Sequence, residues 1–223
     1  MIAREGLVFI VSGGLLSIIL IFAAARLDNI WFFSGAVLFA ILTVFCTYFF
    51  RDPERTITEK PLALVSPADG KVIGIDTLAT HNFTGFETIK ISIFLSVFDV
   101  HVNRVPAEGV IDFVNYNPGE FFAAFEDKAS DRNEQTEIGM TTDSGHKIIF
   151  KQIAGLIARR IVCKLEKGDT VKRGQRFGLI RFGSRTELFL PAGTDIRIKV
   201  GDKVDGGSSL IGFLPTKLET EGN

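Results

Sequence analysis

The stretch IRFGSRTELFLP, Ile180 to Pro191, sets a Gly-Ser pair, Gly183 and Ser184, inside an otherwise strand-like run. Glycine within such a pattern marks a bulge or a close backbone approach. A serine hydroxyl there can act as a nucleophile if a base stands beside it. The run is not the G-x-S-x-G elbow of serine hydrolases, because Arg185 and Thr186 follow the serine and no second glycine does. Three histidines could supply the base: His81, His101 and His146. His101 lies in IFLSVFDVHVNRVP, where an apolar strand runs into Asp99, His101, Asn103 and Arg104. Polar residues massed at the end of a buried strand suggest a site, although a lone histidine is often structural, and both readings stay open on residue type alone. Asp69 falls in VSPADGKV, in a tight turn after a strand. Asp-Gly is first of all a turn former, so Asp69 reads as structural by itself. Neither H-E-x-x-H nor C-x-x-C occurs, so no metal site is expected.

The elements that would position these residues are mostly strands. Turn dipeptides recur at Asp69-Gly70, Pro118-Gly119, Ser144-Gly145, Gly168-Asp169 and Gly201-Asp202, with KVIGI, TIKISIFLS, GVIDFVNY, HKIIFKQI, RIVCKL and DIRIKV between them. Short strands at that spacing predict a mainly β sandwich or barrel, not βαβ units. A helical turn is expected only around GEFFAAFEDKAS. KGDTVKRGQRFGLI (Lys167–Ile180) and VGDKVDGGSSLIGF (Val200–Phe213) share G-D-x-V-x-x-G before an apolar stretch. That repeat resembles the turn-strand unit of barrel-sandwich hybrids, so the predicted fold is a barrel-sandwich-hybrid-like β domain.

The first 50 residues differ in kind. They hold only Arg4, Glu5, Arg26 and Asp28 as charged groups, and Leu7–Ala25 and Ile30–Phe50 carry none. About 20 apolar residues span a bilayer as a helix. The short link RLDN makes the pair a hairpin with both ends on one side. Arg4, Arg51, Arg55 and Lys60 flank it, and positive flanks favour the cytoplasm, with Arg26 in the link a counter-vote. Ala23 and Ala25 also offer an A-x-A cleavage site, so loss of the first segment as a signal peptide stays open. The expected division is an anchor over 1–58, with helices about 7–25 and 30–50, and a soluble domain over 59–223. The formal net charge of −1 carries no nucleic-acid footprint, and two cysteines, Cys46 and Cys163, make no disulfide framework.

FFRDPER, SPADGKV, FLSVFDVHVNRVP, QIAGLIARRI and RFGSRTELFLP stand in the order seen in short, membrane-anchored phosphatidylserine decarboxylases. The resemblance runs from about Phe49 to Pro215. It implies a pyruvoyl-dependent enzyme that cuts its own chain between Gly183 and Ser184 and keeps the fragments 1–183 and 184–223 together as a heterodimer. Ser184 would become the covalent pyruvoyl group. That group would form a Schiff base with the substrate amine and turn phosphatidylserine into phosphatidylethanolamine at the cytoplasmic membrane. The resemblance also implies Asp69 and His101 as the activating pair, with aspartate orienting histidine. Larger relatives carry a second histidine three positions on, and here that position is Arg104, so His101 is expected to serve both cleavage and decarboxylation. Archaetidylserine or another serine lipid presents the same head group. A non-enzymatic membrane-anchored adaptor on the same β architecture is the rival from another class, and a homo-oligomer stays open.

Overall fold

The computed structural model describes residues 1–78, 83–85, 87–119, 133–155, 161–181 and 184–216. His81, Gly183 and nearly all of GEFFAAFEDKAS lie outside the described residues. The chain divides into two compact units, Met1–Glu54 and Arg55–Asn223.

The first unit is a helical hairpin, α1 (Arg4–Leu27) and α2 (Ile30–Phe49). Twenty-four residues at about 1.5 Å each reach roughly 36 Å, enough for a hydrocarbon core of about 30 Å. Both helices are long and apolar enough to cross a membrane. Asp28 turns left-handed between them, and Asn29 caps α2 by accepting from the Trp31 amide at 2.9 Å. Small residues bring the helices together: Ser17 Oγ donates to the Ala36 carbonyl at 2.9 Å.

Among the described residues the second unit is built of β-strands. Its strands are β1 (Ala63–Val65), β2 (Gly70–Leu78), β3 (Thr88–Leu95), β4 (Val102–Arg104), β5 (Gly109–Asn117), β6 (Gln135–Thr142), β7 (Lys147–Ala154), β8 (Ile161–Cys163), β9 (Thr170–Val171), β10 (Arg176–Ile180), β11 (Ser184–Pro191), β12 (Asp195–Ile196), β13 (Lys203–Val204) and β14 (Leu210–Phe213). An eight-stranded antiparallel sheet in the order β13-β2-β3-β11-β7-β6-β5-β9 curls into a half-barrel. Two three-stranded sheets accompany it, β1-β14-β12 and β4-β10-β8. The mainly β architecture matches the expectation. RIVCKL and DIRIKV yield only the short strands β8 and β12.

The repeat is a structural one and is longer than its sequence signature. Pro67-Ala68-Asp69-Gly70 leads into β2 as Pro106-Ala107-Glu108-Gly109 leads into β5. The Gly201 amide donates to the Val72 carbonyl at 2.9 Å, and the Gly168 amide to the Ile111 carbonyl at 2.8 Å. The Val72 and Ile111 amides return bonds of 2.9 Å to the Asp202 and Asp169 carbonyls. A Cβ at Gly70 would meet the Phe94 carbonyl oxygen at 2.3 Å, and one at Gly109 would meet that of Thr141 at 2.2 Å. Only glycine lets both strands start so close to their neighbours.

Inward rungs across the sheet set the core. Ile91, Leu188, Phe150 and Ile138 form one, fully apolar and buried. The next is Ile93, Thr186, Gln152 and Thr136, and the one beyond is Leu95, Ser184 and Ala154. The core is therefore oily along most of its length and turns polar at one end.

Candidate active site

That polar end holds Ser184. The stretch Ile180–Pro191 is not one interrupted strand: β10 ends at Ile180 in the sheet with β4 and β8, and β11 opens at Ser184 in the eight-stranded sheet. Ser184 thus stands where the chain changes sheets. Its position is fixed on both sides, opposite Leu95 of β3 and Ala154 of β7. The residue is fully buried, and its hydroxyl has no hydrogen-bond partner among the described residues.

His101 arrives on the segment entering β4. Its carbonyl accepts from the Ile180 amide at 3.3 Å, which ties it to the strand just before the sheet change. The ring is fully buried, and Nδ1 lies 3.0 Å from the Asp99 carbonyl. A carbonyl can only accept, so Nδ1 carries the proton and a neutral ring keeps its lone pair on Nε2. Asp99 is itself pinned, its carboxylate accepting from the Ser96 amide and hydroxyl at 2.7 Å each. Two residues on, Asn103 Oδ1 accepts from Gln152 Nε2 at 2.8 Å. Asn103 thereby meets the rung that carries Gln152 and Thr186, and His101 lies two residues before it, just ahead of β4. Arg104 takes another direction, its Nη1 donating to the Gly174 carbonyl at 3.1 Å.

Asp69 sits in the turn before β2, and the Pro67 carbonyl in that turn accepts from the Arg104 amide at 2.9 Å. Its Oδ1 accepts from the Gly206 amide at 2.7 Å and its Oδ2 from Arg55 Nη2 at 2.6 Å. Its contacts thus run to Arg55 and Gly206 and not to His101. Burial raises its carboxyl above the usual 3.8, and the Gly206 amide and the Arg55 guanidinium pull the other way. Asp205 stands 3.4 Å from Arg55 Nη1 on the exposed side.

His146 sits apart from this cluster, its Nδ1 3.0 Å from Ser144 Oγ within its own turn. No group of three His, Cys, Asp or Glu that could hold a metal exists among the described residues. Both cysteines are free. Two contributors escaped the sequence reading. Arg55 was read only as a positive flank of the hairpin. Gln152 had a usable signal: in β7 the inward series is Ile148, Phe150, Gln152, Ala154, and a glutamine there breaks an apolar alternation.

A buried serine hydroxyl in the β unit, and two apolar helices ahead of it in sequence that are long enough to cross a membrane, define a mainly β class of protein with an N-terminal helical hairpin. The family model for phosphatidylserine decarboxylase matches residues 42–212. The phosphatidylserine decarboxylase proenzyme of Desulfotalea psychrophila is 48% identical over 213 residues, covering 96% of each chain. That of Syntrophus aciditrophicus is 49% identical over 211 residues, covering 95% of this chain and 96% of its own. That of Rickettsia akari is 46% identical over 223 residues, covering 99% of this chain and 93% of its own. The chain belongs to the phosphatidylserine decarboxylase family and is a decarboxylase. The adaptor reading is thereby overturned.

Proposed function

We propose that this enzyme converts phosphatidylserine to phosphatidylethanolamine with a pyruvoyl group that it makes from Ser184 by cutting its own chain after Gly183. The observation that carries the reading is the buried, unpartnered Ser184 hydroxyl at the start of β11. A serine that attacks a substrate from solution must be reachable. A fully enclosed one is suited to the group it can always reach, the carbonyl bonded to its own nitrogen. The relatives' designation as proenzymes supports this.

In the first step Ser184 Oγ bonds to the carbonyl carbon of residue 183, and His101 Nε2 takes the hydroxyl proton. The carbonyl π pair moves to oxygen, then returns as the C–N bond breaks, and the Ser184 nitrogen leaves with a proton as an amine. The product is an ester. Removal of the Ser184 α-proton then expels Oγ with the carboxylate of residue 183 and leaves dehydroalanine at 184. Tautomerisation and addition of water release ammonia and leave the pyruvoyl group. Asp69, buried and paired with Arg55, acts on the imidazolium that His101 becomes through its charge and not through a direct hydrogen bond. His101 serves both stages in this reading because Arg104 stands where larger relatives carry a second histidine.

The pyruvoyl group, once present, supplies an electron-withdrawing carbonyl to the substrate amine. Ser184 is a fitting site for it: the rung is buried, and polar groups of Asn103, Gln152 and Thr186 surround an otherwise apolar core. His101 is the acid that returns a proton to the α-carbon after carbon dioxide departs. Fragments 1–183 and 184–223 stay together as a heterodimer because β11 is hydrogen-bonded between β3 and β7. The hairpin holds the enzyme in the membrane, and its positive flanks put the catalytic unit on the cytoplasmic side.

The test is Ser184→Ala. Wild-type protein yields two bands on a denaturing gel and one peak by size exclusion, and mass spectrometry finds the smaller fragment blocked at its N-terminus. Ser184→Ala stays whole and releases no carbon dioxide. Carbon dioxide release by uncut Ser184→Ala protein overturns the proposal.

A further inference from the structure

Gln152 and Asn103 form an amide relay beside Ser184. Gln152 lies opposite Thr186, one inward rung from the Ser184–Ala154 pair. Its Nε2 donates twice, to the Val162 carbonyl at 3.2 Å and to Asn103 Oδ1 at 2.8 Å. The Val162 carbonyl can only accept, so it dictates which end of the Gln152 amide is nitrogen. The oxygen of Asn103 is then the end facing Gln152, and Asn103 Nδ2 is turned away. That nitrogen carries two N–H groups in a fully buried residue and has no hydrogen-bond partner among the described residues. Buried amide donors are nearly always satisfied, so an aimed and unpaired one calls for a partner.

The sheet is shaped around this relay. Gly178 lies opposite both Asn103 and Cys163. A Cβ there would meet the Val162 carbonyl oxygen at 2.2 Å and Gln152 Nε2 at 2.8 Å. Glycine makes the space in which the glutamine amide reaches between the sheets. Asn103 follows His101, the base in the proposed cleavage, by two residues, and both are fully buried.

We propose that Asn103 is the hydrogen-bond donor to the oxyanion formed when Ser184 Oγ adds to the carbonyl of residue 183, and that Gln152 is the positioning residue that aims it. The inference rests on the self-cleavage reading. At that step the carbonyl π pair becomes a full negative charge on oxygen, and a fixed donor in a site closed to water stabilises that charge more than it stabilises the neutral carbonyl. The donor's effect is largest at this addition, where one oxygen takes the whole charge, and smaller in the later elimination, where the departing carboxylate spreads its charge over two oxygens.

Cleavage of newly made full-length chain, followed by pulse labelling and denaturing gels, tests this. Asn103→Asp keeps the acceptor that Gln152 needs but offers no donor. Gln152→Glu removes the amide donor and obliges Asn103 to turn its Nδ2 inward. Each is expected to slow fragment formation by about 10²–10³-fold, the loss typical of one oxyanion donor. The double variant is expected to be no slower than the slower single. Hydroxylamine, which cuts an accumulated ester, is expected to release no fragments from either variant, because the lesion precedes the ester. A merely structural lesion lowers the thermal midpoint below that of uncut Ser184→Ala, and the expected midpoints match it. If Asn103→Asp fails to fold, Gln152→Glu carries the test with Asn103 intact. Cleavage at the wild-type rate in either variant overturns the inference, and so does a hydroxylamine-sensitive ester in Asn103→Asp. Fragments from Ser184→Ala would instead overturn the self-cleavage reading itself.

Discussion

At the scale of single residues, the chemistry depends on which proton sits where. The Asp99 carbonyl decides the His101 tautomer and leaves Nε2 as the basic nitrogen. Asp69 is governed by opposing influences: burial raises its pKa, and Gly206 and Arg55 lower it. Because burial wins, the protonated form suits the fold better. The stability this contributes is complete below the unfolded value of 3.8 and is lost as pH rises through the folded value. Replacing Arg55 removes an influence that holds the carboxylate ionised. Arg55→Gln is therefore expected to raise the Asp69 pKa further. If ionised Asp69 supports the His101 imidazolium, the acid limb of self-cleavage moves to higher pH. Cleavage rates across a pH series check this, and an unmoved limb removes Asp69 from the step.

At the scale of elements, β11 carries two different burdens. Its inward face runs from Ser184 and Thr186 to Leu188 and Leu190. Its opposite face buries Arg185, whose Nη2 lies 2.8 Å from Glu187 Oε1 and donates to Ser92 Oγ at 2.7 Å. The paired side chains are only 4% and 2% exposed, so neither charge has water to fall back on. Removing one partner strands the other. Glu187→Ala is expected to cost about 3–5 kcal/mol, and an apolar pair at 185 and 187 to restore much of it. Thermal unfolding on the uncut Ser184→Ala background is the measurement, since it keeps the chain in one piece. A midpoint unchanged by Glu187→Ala would show the pair contributes nothing to holding β11.

At the scale of the whole molecule, the proposed reading gives the membrane to the hairpin and the chemistry to the β unit. Arg4 precedes the hairpin and Arg51, Arg55 and Lys60 follow it, with only Arg26 in the link. The excess of positive charge predicts that both ends face the cytoplasm. Protease added to intact cells is expected to spare the β unit, and protease added to inverted vesicles to digest it. The opposite pattern reverses the orientation.

The sequence by itself determined the features that depend on neighbours in the chain. Two charge-free runs specify helices able to span a membrane, because a backbone in hydrocarbon must satisfy its own hydrogen bonds. Short β-forming runs between recurring turn dipeptides specify strands and a mainly β class. Ser184, His101 and Asp69 were legible as candidates from residue type, turn context and family resemblance. Only the tertiary structure decided which distant residues surround them. Asp69 meets Gly206 across 137 residues, and Gln152 meets Asn103 across 49, distances that no local pattern encodes. The sheet change between Ile180 and Ser184 was invisible for the same reason: β10 and β11 have similar strand character, and only their partners differ. Which side chain faces the serine is a matter of register between strands far apart in sequence. Register is fixed by burying whole inward rungs at once, a collective choice that no residue makes alone.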